Sequence, residues 1–399
     1  MSMAELIGHN IQKLMEENSV STIDLAKVIG VTRQTFANYL NGESIIDSEK
    51  LVILANYFGK PLEYFLEEEH SNLCFMFRAS NPKENVDNSE KVDIENYMND
   101  YFELFSLAGE QLAYIPEQYN LTVKYNSKII PVDDPELDFG LFKYKLPKEL
   151  DMVIESIAME QRKRLGAEEV VGVELVRCLE EVGIRILYKN IDNDDLFGIS
   201  AFHPEKGCFI LINNKEGIPE ERKLFTIAHE YGHLIFHRQY YRNIQNSVDY
   251  GSKKNISEAM ADAFAGYFLI PRSLLKKYER FFNKQTISIA DLIFIKKEFQ
   301  VSLMSLVMSL HKYGYINDIV KKKIFDILYI KGYQKKEPQP CESLVLKMNE
   351  KFEFMIKSLY LEDKLSISKV AELLNIPLTE ARQRVRKWVN HEEEIQLTL

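Results

Sequence analysis

Residues 224–238 read LFTIAHEYGHLIFHR and hold the spacing HExxH in His229, Glu230 and His233. The apolar residues Phe225, Ile227, Ala228, Leu234 and Ile235, with no proline and only Gly232 as a weak point, predict a mostly buried helix. Positions i and i+4 share a helix face. Two imidazole nitrogens can therefore meet one metal ion while Glu230, one position round, reaches a water on that ion, which is the ligand chemistry of a zinc hydrolase. A lone HExxH also arises by chance, so the second pattern matters. SEAMADAFAGYFLIP (257–271) sets Glu258 and Asp262 four apart on another expected helix, favoured by Ala259, Ala261, Ala263 and Ala265 and ended by Pro271. Glu258 would be the third ligand, and Asp262 the carboxylate that accepts a hydrogen bond from a ligand imidazole and fixes its tautomer. The small alanines let the two helices come close enough to share a metal.

Two other histidines are set aside. His237 follows His233 by four but stands two turns from His229, about 12 Å of rise, so the three cannot meet at one ion; it is expected to support or pack. His203 lies in the polar connection HPEKG and is expected to be solvated.

The elements that must position the pair precede it. Lys148–Leu165 is helical in spacing, VGVELVRCLEEVGIRILYKNI gives a helix ending at Gly183 and then a strand through Ile184 to Tyr188, and Phe197–Phe202 and Cys208–Ile212 are two further strands of a hairpin. The strand at 208–212 is expected to offer an edge to an extended substrate.

With 399 residues the chain exceeds one ordinary core and should form two or three domains. An apolar fraction of 46% and 11% aromatics exclude global disorder, and no apolar run is long enough to span a membrane. The start MSMAELIGHN shows no secretory signal, and Cys74, Cys178, Cys208 and Cys341 have no CxxC spacing, so a cytoplasmic location with reduced thiols is expected. The net charge of −10 excludes the molecule as a whole as an electrostatic partner for nucleic acid. Any DNA contact must be local.

One local candidate is residues 4–66, which read as five short helices. STIDLAKVIGVTRQTFANYLNGES has a helix-turn-helix cadence: Leu25, Ala26 and Ile29, a turn at Gly30-Val31, then Phe36 and Leu40, with Thr32 or a neighbour as cap. Residues 67–93 then change character. An apolar patch, LCFMFRA, precedes a polar stretch with Pro82, and the segment is expected to be a linker whose start can dock as a short strand. Helical spacing returns from Ile94 to Leu112; 113–147 is irregular with two short strands. Near the C-terminus LSISKVAELLNIPLTEARQRVRKWVN (365–390) is another helix-turn-helix cadence, ending in a basic helix with Arg382, Arg384, Arg386, Lys387 and Trp388.

These stretches carry two resemblances. The run from Gly198 through CFILINN and TIAHEYGH to ExxADxFA and LIP resembles the ImmA/IrrE family of metallopeptidases over roughly residues 150–315. That implies zinc, with manganese as an alternative, at His229, His233 and Glu258, and Glu230 as catalytic acid/base. Met260 departs from the family pattern, where many relatives have an acidic residue. The segment 289–316 resembles the helix-turn-helix-like piece behind the protease helices, but Leu303, Met304, Leu306, Val307 and Leu310 predict packing rather than DNA contact. Residues 4–66 resemble the xenobiotic-response-element, lambda-repressor-like domain, which implies Arg33, Gln34, Thr35 and Asn38 at the front of the recognition helix. Five basic against eight acidic side chains in residues 1–66, net −3, predict weak non-specific affinity unless a homodimer concentrates the basic groups.

The expected fold is mainly α with a small antiparallel sheet (α+β). Its parts are a helix-turn-helix domain (1–68), a linker (69–93), a helical and irregular connector (94–147), a zincin-like metallopeptidase domain (148–280) and a helical C-terminal region (281–399). The resemblances imply a zinc endopeptidase that cleaves a repressor-type regulator, or its own linker, in a stress, phage or mobile-element response. The alternative is a DNA-binding regulator whose zinc domain senses a ligand or partner and cleaves little.

Overall fold

The computed structural model describes residues 3–18, 20–60, 62–66, 74–79, 88–109, 114–125, 128–132, 145–194, 196–203, 207–238, 242–243, 256–282, 287–333, 336–342, 344, 346, 350–374 and 376–395. The chain forms two compact units, Met1–Asn72 and Leu73–Leu399.

In the first unit, α1 (Met3–Asn18), α2 (Thr22–Val28), α3 (Arg33–Leu40), α4 (Ser48–Phe58) and a 3-10 turn (Leu62–Phe65) enclose Ile7, Ile11, Leu14, Leu25, Phe36, Leu54 and Phe65. Each short helix has a local start signal. Ser21, Thr32 and Asp47 accept from the backbone N–H three residues on, satisfying donors that the first turn leaves open.

The second unit contains β1 (Cys74–Ala79), α5 (Asn88–Leu107), β2 (Thr122–Tyr125), β3 (Lys128–Pro131), α6 (Lys148–Arg164) and α7 (Val173–Glu181). β4 (Arg185–Lys189), β5 (Leu196–His203), β6 (Gly207–Asn213), α8 (Glu220–Phe236), β7 (Arg242–Asn243) and α9 (Ile256–Leu269) follow. The short α10 (Arg272–Leu275) and α11 (Glu279–Phe282) lead to α12 (Ile289–Phe299), α13 (Leu303–Lys312), α14 (Asp318–Ile330), α15 (Glu350–Leu361), α16 (Ile367–Leu373) and α17 (Leu378–Ile395). No helix among the described residues is long and apolar enough to cross a membrane.

The class is α+β, with a sheet of order β4-β6-β5-β1-β7. The expected antiparallel sheet is in fact mixed, because β4 runs parallel to β6 while β5 and β6 form the hairpin. The hairpin turns β6 back along β5, so β4 docks on the far side of β6 in the parallel sense. β6 is therefore flanked on both sides and offers no substrate edge. Successive β6 side chains alternate between two cores: Cys208, Ile210 and Ile212 face the helices α6–α9 and α12–α14, whereas Phe209 and Leu211 face α5 and α15–α17. A strand covered on both faces reads as an unbroken apolar run, as CFILI does.

Two expected boundaries move. The stretch 69–93 contributes β1, which pairs antiparallel with β5 on one side and β7 on the other, and the first residues of α5. Position 280 is no core boundary either. Leu292, Ile295, Leu303, Leu306, Val307 and Leu310 share the cluster that holds α8 and α9. A buried ion cluster reinforces the join: Lys296 Nζ lies 2.9 Å from Glu221 Oε1 and 3.1 Å from Glu337 Oε1. The backbone N–H of Cys341 also donates to Glu221, at 2.8 Å. These contacts fix the start of α8 against the C-terminal helices.

Candidate metal centre

α8 is buried along nearly its whole length, and His229, Glu230 and His233 are fully enclosed. α9 crosses it closely at Gly232. A Cβ there would stand 3.2 Å from the Phe264 ring and 3.3 Å from Ala261 Cα, so the alanine-rich face of α9 and the glycine of α8 are complementary. α6 holds α9 from behind. The buried Arg162 guanidinium donates to the carbonyl of Phe268 at 2.6 Å, its pKa drawn down to about 10 by burial, and Tyr231 Oη donates to Gln161 at 2.7 Å.

This packing brings His229, His233 and Glu258 into one cluster whose ligand atoms all lie within 4.8 Å of one another. The two Nε2 atoms are 2.9 Å apart, and the Glu258 carboxylate oxygens stand 3.3 Å from Nε2 of His229 and 3.2 Å from Nε2 of His233. The Nδ1 atoms point away to partners. Nδ1 of His229 is 2.9 Å from Asp262 Oδ1, and Nδ1 of His233 is 2.9 Å from Nδ1 of His237. In the neutral tautomers that carry the proton on each Nδ1, both Nε2 atoms face each other and a carboxylate as lone pairs. Such a constellation is repulsive alone and attractive around a cation. The buried Oε1 atoms of Glu258 and Glu230 accept no hydrogen bond, so the donor set fits a divalent ion with nitrogen and oxygen ligands.

Burial raises the Glu258 pKa, but His233 and His229 outweigh it and hold the carboxyl well below the usual carboxylate range. Burial, then His233, keeps His237 neutral far below the ordinary imidazole value. His237 supports His233 without joining the cluster.

Glu230 is held by a residue the sequence did not single out. Ser200 Oγ, on β5, donates to Glu230 Oε2 at 2.6 Å. Gly198, two residues earlier on that face, admits α8: a Cβ there would stand 2.4 Å from Thr226 Cγ2 and 3.3 Å from Glu230 Cγ. Small and polar residues at i and i+2 of an apolar strand were the available signal. His203, expected to be solvated, is instead buried at the end of β5, opposite Gly207, because that strand continues one residue beyond the apolar run.

The other candidate residues lie on α3 in the first unit. Arg33 and Gln34 are exposed and Thr35 and Asn38 half-buried. Thr35 shares a hydrogen bond with the cap Thr32, at 2.9 Å, and the Gln34 and Asn38 side-chain amides face each other one turn apart.

Comparison with known proteins matches residues 179–311 to the Peptidase M78 family model, described as an IrrE N-terminal-like domain, and residues 11–65 to a helix-turn-helix model. A search of the curated proteins finds no match. Among solved structures, the apo form of the competence regulator ComR from Streptococcus vestibularis aligns over 97% of this chain and 92% of that one, at 12% identity and a TM-score of 0.16, too low to bear on the fold. An N-terminal helix-turn-helix is thus joined to an ImmA/IrrE-type, metallopeptidase-like domain in one polypeptide.

Proposed function

We propose that the chain is a zinc-dependent endopeptidase tied to a DNA-binding domain, and that it cleaves a separate repressor-type regulator to switch gene expression. The carrying observation is the convergence of His229, His233 and Glu258 beside a buried carboxylate, Glu230, that one serine holds by a single oxygen. Zinc held by the three residues supplies Lewis acidity toward a peptide carbonyl and a water of lowered pKa. Glu230 takes the proton from the attacking water through its open Oε1 and delivers it to the leaving amine. A purely structural metal site would have no use for that carboxylate. Asp262 and His237 keep the two imidazoles in the tautomer that aims Nε2 at the ion.

The first unit supplies DNA affinity through Arg33, Gln34, Thr35 and Asn38, as residue types that read guanine, adenine and phosphate. Cleavage in trans is favoured over cleavage of the chain's own 69–93 segment. Residues 74–79 are tied into ladders with β5 and β7, and that strand must leave the sheet before it could be cut.

The test incubates wild-type protein and Glu230→Gln, each loaded with zinc, with a repressor of the lambda-like class, followed by intact mass over time. Expected is fragmentation of the repressor by wild type only, with equal zinc in both proteins. Equal cleavage by Glu230→Gln, or loss of zinc from it, overturns the assignment. If wild type retains zinc and cuts neither the repressor nor itself, the regulator that senses without cleaving becomes the better account.

A further inference from the structure

The site above uses neither α16 nor α17. These helices form a second helix-turn-helix in the C-terminal part of the chain. Ser366 caps α16, accepting from the N–H of Lys369; Pro377 precedes α17, which runs 18 residues from Leu378. Val370, Ala371, Leu373, Ala381 and Val385 are buried and fix the pair against α15 and α5. A short turn between two helices packed in this way is the arrangement that presents the second helix outward.

What α17 presents is chemically selective. With Ala381 and Val385 turned inward, Thr379, Arg382, Gln383, Arg386 and Lys387 are exposed along the opposite face. One acid, Glu380, stands exposed beside Thr379 and Gln383 on that face, where Arg384 pairs with it. The nearby acids are engaged by cations of their own: Glu380 and Glu353 by Arg384, at 3.3 and 2.8 Å, and Glu372 by Lys369, at 3.1 Å. The stripe therefore has three positive charges in a molecule whose net charge is −10. The comparable pair α12–α13 differs, since Leu303, Leu306, Val307 and Leu310 of its second helix lie in the core. Glu392, Glu393 and Glu394 follow on α17, which confines a polyanion to the first half of the helix.

We infer that α17 is a second DNA-contacting helix, with Arg382, Arg386 and Lys387 meeting duplex phosphates and Gln383, flanked by Thr379, reaching base edges in the groove. Arginine, lysine, glutamine and threonine on the early turns of an outward helix are the side chains that make these contacts.

The test uses the full chain, with a fluorescein-labelled random-sequence duplex read by anisotropy at several potassium chloride concentrations. Arg33→Ala/Gln34→Ala/Asn38→Ala disables α3 and isolates the second helix. That protein should still bind, with a slope of log K against log salt of about −3 for three phosphate contacts. Adding Arg382→Ala/Arg386→Ala/Lys387→Ala should lower affinity at least tenfold and flatten the slope toward zero. Gln383→Glu, which adds an unpaired acid to the stripe and leaves the helix core untouched, should weaken binding by itself. Absence of binding in the α3-disabled protein overturns the inference, as does an affinity and slope unmoved by the α17 substitutions. Binding to poly-glutamate that duplex DNA does not compete away would identify an acidic-protein surface, and would also overturn it.

Discussion

Removing Asp262 tests the metal centre without touching any proposed ligand. Its carboxylate is 2.9 Å from Nδ1 of His229, and the side chain is 54% exposed, so water screens the interaction and partly replaces it on truncation. Loss of such an outer support typically weakens metal binding by about 10–100-fold, or roughly 1.4–2.7 kcal/mol. Exposure puts Asp262→Ala near the lower end, about tenfold. His237 makes the equivalent contact with His233 but is fully buried, where no water substitutes. His237→Leu leaves a donor unsatisfied in a dry site, a cost of about 1–3 kcal/mol that reaches the upper end of the range. Glu258→Ala deletes a ligand and should weaken binding most. Competition against a chromogenic zinc chelator, with far-UV circular dichroism as folding control, gives the three affinities. Expected losses rise in the order Asp262→Ala, His237→Leu, Glu258→Ala. An Asp262→Ala affinity within twofold of wild type, or a loss equal to that of Glu258→Ala, refutes the tautomer argument.

Two further outcomes follow from the same packing. Ser200→Ala removes the donor to Glu230 Oε2, a charge-assisted bond of about 1.5–3 kcal/mol, and should lower kcat by roughly 10–100-fold with KM and zinc content unchanged. Steady-state kinetics on a cleaved repressor would show this; a raised KM with kcat intact would place Ser200 in substrate binding instead. Lys296→Met strands the carboxylates of Glu221 and Glu337 in the interior and should cost about 3–5 kcal/mol in urea unfolding, most of it recovered in Lys296→Met/Glu221→Gln/Glu337→Gln. A loss under 1 kcal/mol in the single variant would mean that water reaches the cluster.

Periodicity is what made much of this legible. HExxH on a helical apolar run, and Glu258 and Asp262 one helical turn apart, are local patterns. A helix imposes their geometry whatever the rest of the chain does. The N-terminal helices announce themselves in the same way through Ser21, Thr32 and Asp47, each satisfying the turn that follows it. Strand partners are not local. Nothing in RILYK says that it lies parallel to β6, and nothing in CFMFRA names β5 as its neighbour more than a hundred residues on; both follow from which apolar faces remain to be covered once the hairpin has formed.

Ser200 and Lys296 show why the remainder was hidden. A lone serine in an apolar strand, or one lysine of the pair Lys296-Lys297, has the same local signature whether it faces solvent or a buried carboxylate. Only the tertiary partner distinguishes the cases: Lys296 is fully buried because Glu221 comes to it from α8. That partner also links α8 to α12 within the second unit. Glu221 stands two turns before His229 on one buried helix, so the cluster that anchors the C-terminal helices also sets where α8 begins. The sheet face that receives α15–α17 is made by the same strands, β5 and β6, whose other face meets α8 through Gly198 and Ser200. The surfaces that receive α15–α17 and Glu230 are thus the two faces of one sheet layer.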